Sequence, residues 1–104
     1  MNKLVRDKIP EIIKNSGRVP HIKQISGSEY EQMLVDKLTE EGKEFLSATD
    51  EDKVNELADL YEIVLSLGAI YNLSLGDISC AAEKKRQERG GFNNGYFYMG
   101  DKEA

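Results

Sequence analysis

Tyr30-Glu31-Gln32-Met33-Leu34-Val35-Asp36-Lys37-Leu38-Thr39-Glu40-Glu41-Gly42-Lys43-Glu44-Phe45, followed after a polar interruption by Val54-Asn55-Glu56-Leu57-Ala58-Asp59-Leu60-Tyr61-Glu62-Ile63-Val64-Leu65, is the stretch whose pattern decides the fold. A helix turns about 100° per residue, so positions three and four apart share a face. In the first segment Tyr30, Leu34, Leu38 and Phe45 form one apolar stripe at that spacing. Ser28-Glu29-Tyr30-Glu31 has the spacing of a capping box and predicts a helix from there to about Ser47. Thr49 or Asp50 can cap the next helix, which should run to about Tyr71. That helix is apolar nearly all round, through Val54, Leu57, Leu60, Tyr61, Ile63, Val64, Leu65, Leu67 and Ile70. Such a helix belongs at the centre of a bundle or in a subunit interface.

Four carboxylates break this pattern. Glu41 falls inside the stripe of Leu34, Leu38 and Phe45, and Glu44 lies one turn on at its edge. On the next helix Glu56 aligns with Leu60, Ile63 and Leu67, and Asp59 is again three residues later. Two helices joined by a short turn run antiparallel, which brings both pairs to about the same height. A carboxylate facing a core is expensive, and four at close range cannot all stay ionised without a cation. Hard oxygen donors with no His or Cys nearby select Mg²⁺, or Mn²⁺, over zinc.

Working outward, Asp7 can cap a short helix through Ile9, Ile12 and Ile13, with Pro10 in its first turn and Asn15-Ser16-Gly17 as the stop. Residues 19–25 read as an extended connector or short strand. Ser74 with Asp77 forms a capping box for a last helix, which ends at Arg89-Gly90-Gly91. Phe92, Tyr96, Phe97 and Tyr98 make an aromatic tail that could stack on a base, though such residues more often close a small core or pack a subunit contact. The expected architecture is one all-α domain over residues 1–104, an antiparallel helical bundle completed by oligomerisation, because so short a chain buries a modest core.

Charge is unevenly placed. Residues 1–23 carry six Lys/Arg against two Asp/Glu, residues 24–83 three against fourteen, and residues 84–104 five against three, for a net −5. An acidic middle between basic ends argues against general nucleic-acid binding and suits a central cation with an anion at its edge. The longest apolar stretch is broken by Glu56, Asp59 and Glu62, so no membrane span is expected. The opening Met1-Asn2-Lys3-Leu4 carries no apolar signal core, and one cysteine, Cys80, excludes an internal disulfide framework. These features point to the cytoplasm. Cys80 reads as a buried small apolar residue, and His21, in a connector, is assigned no catalytic role.

Lys37-Leu38-Thr39-Glu40-Glu41-Gly42-Lys43-Glu44 followed by Glu56-Leu57-Ala58-Asp59 resembles the E-x-x-E then E-x-x-D signature of the MazG-type all-α NTP pyrophosphohydrolases. The opening Asn2-Lys3-Leu4-Val5-Arg6-Asp7-Lys8-Ile9-Pro10 and the closing Lys85-Arg86-Gln87-Glu88-Arg89-Gly90-Gly91-Phe92 are similar to a small phosphoribosyl-ATP pyrophosphohydrolase-like branch. The resemblance implies packed helices in a dimer or tetramer, and Mg²⁺-dependent hydrolysis of a nucleotide between its α and β phosphates. It implies Glu41, Glu44, Glu56 and Asp59 as metal ligands. One departure is the spacing: eleven residues separate the two motifs, near the short end for this family, leaving little room there for a base-recognition insert.

Chemistry assigns the remaining roles. Glu40, beside Glu41, is the candidate for holding or deprotonating the attacking water. Glu62, three residues past Asp59, is a possible extra ligand. A polyanionic substrate meeting an acidic protein needs local cations, and Arg6, Lys8, Lys85 and Arg89 are the candidate phosphate-binding residues. Competing readings are a phosphoribosyl-ATP pyrophosphohydrolase, or a non-catalytic helical dimerisation or nucleotide-binding module.

Overall fold

The computed structural model describes residues 2–102 and is all-helical: α1 (Ile9–Asn15), α2 (Gly27–Ser47), α3 (Lys53–Ile70) and α4 (Leu75–Arg89), with no strand among the described residues. Residues 19–25, a connector or short strand by sequence, have no regular structure, since no neighbouring strand offers a ladder.

The centre of the chain is the α2–α3 hairpin. Its antiparallel sense follows from contacts at both ends. Near the turn, Lys53 Nζ donates to the Phe45 carbonyl at 2.9 Å and sits 4.4 Å from the centre of the Phe45 ring. That ammonium is a second donor to a carbonyl that also accepts from the Ala48 N–H at 3.3 Å, and it adds a cation–π contact. At the far end the Tyr71 hydroxyl donates to Glu31 Oε1 at 2.5 Å, and this bond to a carboxylate holds the Tyr71 phenol above its ordinary range. Leu34 and Ile63 are the buried apolar side chains among the described residues, facing each other's helix from the two stripes read in the sequence.

The helix starts depart from expectation. Lys8, not Asp7, is the N-cap of α1 and makes no side-chain bond; Asp7 turns toward a cavity described below. α2 begins at Gly27 behind Ser26, so the Ser28 capping box does not form. Asp52 occupies the N-cap of α3, while the Thr49 hydroxyl accepts from the Asp52 N–H at 3.3 Å and shapes the turn instead. Packing along the stripes sets these two long helices, and each tolerates an uncapped start in water.

α3 and α4 meet at a sharp corner. Asn72 adopts a left-handed conformation, and the Leu73 N–H returns to the Gly68 carbonyl at 2.9 Å. A Cβ on Gly68 would lie 2.7 Å from Ile78 Cδ1 and 3.2 Å from the Leu73 carbonyl, so only glycine admits this approach. The predicted Ser74–Asp77 capping box is present: Asp77 N donates to Ser74 Oγ at 3.1 Å and Ser74 N to Asp77 Oδ2 at 2.8 Å. Those bonds to its charged form hold the Asp77 carboxyl below its ordinary value. Gly90, with φ of 80°, ends α4 where the double glycine was read.

Beyond that corner the chain stays open. α4 leaves α3 at a bend of 106° and carries no buried residue. Cys80 is exposed rather than buried, because no element lies over this side of α4. The aromatic tail closes no core within the chain, Phe92 being 98% and Tyr96 91% exposed. α3 is covered on one face only, leaving Val54, Leu57 and Tyr61 about half exposed or more. The radius of gyration is 18.3 Å, against about 13 Å for a compact chain of this length. The all-α class read from sequence is present, and within one chain the α2–α3 hairpin is the part that packs closely. No single helix is long and apolar enough to cross a membrane.

Candidate metal centre

Glu41 projects from α2 toward α3, and Glu56 and Asp59 project back from the first two turns of α3. One carboxylate oxygen from each of the three lies within 4.8 Å of the other two. Glu41 is 6% exposed, and its Oε2 and the Oε2 of Glu56 are buried without a hydrogen-bond partner. The counter-charge to Glu41 is Lys37, one turn back on α2, whose Nζ stands 3.6 Å from Oε1. Burial, and next the facing Glu56, push the Glu41 carboxyl above the ordinary range, with Lys37 opposing them. Glu44 lies outside the trio on the solvent side, where the adjacent Glu41 raises its carboxyl too.

An ion with metal–oxygen distances of about 2.1 Å holds its ligand oxygens about 3 to 4 Å apart. A trio within 4.8 Å needs only small side-chain adjustment to reach that spacing. The donors are all carboxylate oxygens, and Glu41 and Glu56 each have one oxygen orphaned, so the residues fit a hard divalent cation.

The N-terminal segment runs over the same region. Arg6 Nη2 donates to Asp59 Oδ1 at 2.7 Å, and Nη1 lies 4.0 Å from Glu62 Oε1. Between residues 4–7 and the hairpin is a cavity of about 300 Å³, lined on one side by Leu4, Val5, Arg6 and Asp7 and on the other by residues including Tyr30, Lys37, Asp59 and Ser66. It joins the carboxylates to a mixed polar and apolar space.

The sequence-predicted residues thus divide. Glu41, Glu56 and Asp59 converge, Glu44 sits at their rim, and Arg6 reaches them across 53 positions of sequence. Glu62 answers Arg6 rather than joining the trio. Glu40 is exposed. Lys8, Lys85 and Arg89 do not line the cavity, and the latter two lie on α4 beyond its corner with α3. Lys37 was assigned no role by sequence. Its position four residues before a stripe carboxylate is the signal that identifies it.

An uncharacterized protein of Mycolicibacterium smegmatis is 46% identical to this chain over 56 residues, which cover 54% of the chain and 57% of the relative. The match therefore spans little more than half of that protein's length. No protein-family model and no solved structure matches the chain.

Proposed function

We propose that this chain is a cytoplasmic, Mg²⁺-dependent nucleoside triphosphate pyrophosphohydrolase. It would cut between the α and β phosphates to give a monophosphate and pyrophosphate, and so clear unwanted nucleotides. The observation that carries the proposal is the Glu41 carboxylate, buried, with one oxygen unpartnered, and turned toward Glu56 and Asp59. A charge so placed demands a proton or a cation. Glu41, Glu56 and Asp59 would hold Mg²⁺ or Mn²⁺, with Glu44 completing the set from the rim. When bound there, the ion would supply neutralisation of phosphate charge, orientation of the triphosphate and a lowered pKa for a bound water.

The chain's own groups do the rest. Arg6 and Lys37 flank the carboxylates and offer donors to phosphate oxygens. The cavity beside them shelters the remainder of the substrate. Glu40 would hold the attacking water from its place next to Glu41. Lys85 and Arg89 would serve a second copy's site, since α4 turns away from the hairpin that carries it. Self-association as a dimer or tetramer belongs to the same reading, because Val54 at 67% and Leu57 at 52% exposure leave an apolar face of α3 uncovered.

The test is a panel of nucleoside triphosphates and phosphoribosyl-ATP with Mg²⁺ or Mn²⁺, with the products separated. Monophosphate and pyrophosphate are expected. Diphosphate and phosphate would contradict the proposed bond. Turnover of phosphoribosyl-ATP alone would move the enzyme to histidine biosynthesis. Nucleotide binding without turnover would leave a non-catalytic module.

A further inference from the structure

Asp59 is claimed twice. It is one of the three converging carboxylates, and its Oδ1 is also the anchor for Arg6 at 2.7 Å. The N-terminal segment has few other ties to the hairpin. Residues 2–6 belong to no helix, α1 makes no close backbone approach to any other helix, and Leu4 and Val5 are half-buried over the cavity. Arg6 is the one ion pair that joins residues 4–7 to α3 among the described residues, with Asp59 at bonding distance and Glu62 at its margin. Its side chain is 54% exposed and that of Asp59 40%, so this is a weak, solvent-screened clasp.

Resting on the metal reading above, we infer that residues 4–7 form a strap released by a divalent cation. An ion held by Glu41, Glu56 and Asp59 and a guanidinium on the same Asp59 carboxylate repel each other at short range. The weaker bond gives way: Arg6 leaves Asp59, the strap lifts from the hairpin, and the cavity beneath it opens. Arg6 then presents an uncommitted fork of donors at the mouth of that cavity, suited to a phosphate group. Cation binding thereby precedes and enables entry of the anion, and the same arginine serves first as a placeholder and afterwards as a ligand contact.

The experiment titrates MgCl₂ into the full chain and into Arg6→Gln, following Mg²⁺ affinity by calorimetry and the mobility of the amides of residues 4–7 by ¹⁵N relaxation. Arg6 is exposed, and unchanged helical circular dichroism checks that the variant folds. In the unaltered chain the strap amides should become mobile on the nanosecond scale as Mg²⁺ saturates. In Arg6→Gln they should be mobile without Mg²⁺, and Mg²⁺ should bind about two- to fivefold more tightly, the yield of losing an exposed competing pair. Removing a positive charge would by itself tighten binding, so the Mg²⁺-dependent mobility of the unaltered strap is the decisive reading. Mg²⁺ binding with no change at residues 4–7, or an affinity in Arg6→Gln equal to or below the original, overturns the strap alone. Absence of Mg²⁺ binding by the unaltered chain overturns the metal reading and the strap together.

Discussion

The α2–α3 hairpin and the α4 arm are helical for opposite reasons. The hairpin's long helices start without a side-chain cap, yet they bury Leu34, Ile63 and Glu41 between them. α4 has a complete capping box and a glycine stop but contains no buried residue, touching α3 only at the corner where Ile78 meets Gly68. Tertiary packing holds the one, and local backbone chemistry holds the other. The hairpin therefore carries an internal cost, a cluster of like charges, that only something with interleaved stripes could sustain. The arm carries no such cost and is available to a partner.

The largest effect that would test this contrast lies in the hairpin. Glu56→Gln should abolish Mg²⁺ binding and lower kcat about 10³-fold, because several kcal/mol of charge stabilisation depend on the ion. Glu41→Gln should do the same and also change the pH response. The carboxyls of Glu41 and Glu44 are raised from 4.5 in the folded chain, so between that value and their raised ones the folded state binds more protons than the unfolded state. Their contribution to stability is full below about pH 4.5 and is lost as pH rises through the raised values. Thermal melts in EDTA from pH 4.5 to 7 should show that decline, Mg²⁺ should reverse it at neutral pH, and Glu41→Gln should flatten it. A hairpin whose melting ignores both pH and Mg²⁺ in this range would break the contrast.

Changes at the corner come next. Gly68→Val should destabilise the chain by about 1–3 kcal/mol through overpacking against Ile78 and the Leu73 carbonyl. Urea denaturation measures this, and metal affinity should stay unchanged because the trio lies on the other part of α3. The smallest effect is Ser74→Ala, about 1 kcal/mol from loss of the cap. It should appear as fraying of the first turn of α4 in amide exchange, with the hairpin's exchange unaltered. Equal loosening of both regions would mean that arm and hairpin are one cooperative unit.

What the sequence disclosed follows the same division. The stripes of Leu34 and Ile63 and the Ser74–Asp77 box were legible because each is a short-range pattern with one structural solution. Thr49 reads as a cap for α3, and instead its hydroxyl accepts from the Asp52 N–H in the turn because α3 starts behind Asp52. Asp7 and Ser28 misled because a cap signature competes with the packing of neighbouring segments, which no local window contains. Cys80 misled in the other direction, because its composition suits burial and burial needs a covering surface that the described chain does not supply; of the packing roles read for the aromatic tail, the described chain forms no core. Arg6 was legible as a cation but not as a neighbour of Asp59, since nothing in the sequence between them, a separation of 53, marks the pairing.

The clip between Lys53 and the end of α2 has a consequence for the angular phase of α3. Lys53 and Glu56 are one turn apart on one helix, so tethering the first to the Phe45 carbonyl fixes the rotation of α3 about its own axis and with it the bearing of the second. A single residue inserted between them would swing Glu56 by about 100° and bring Asn55, or the inserted residue, into its place opposite Glu41. A lysine outside the acidic trio thus acts as the keyway that keeps the two halves of that trio aligned.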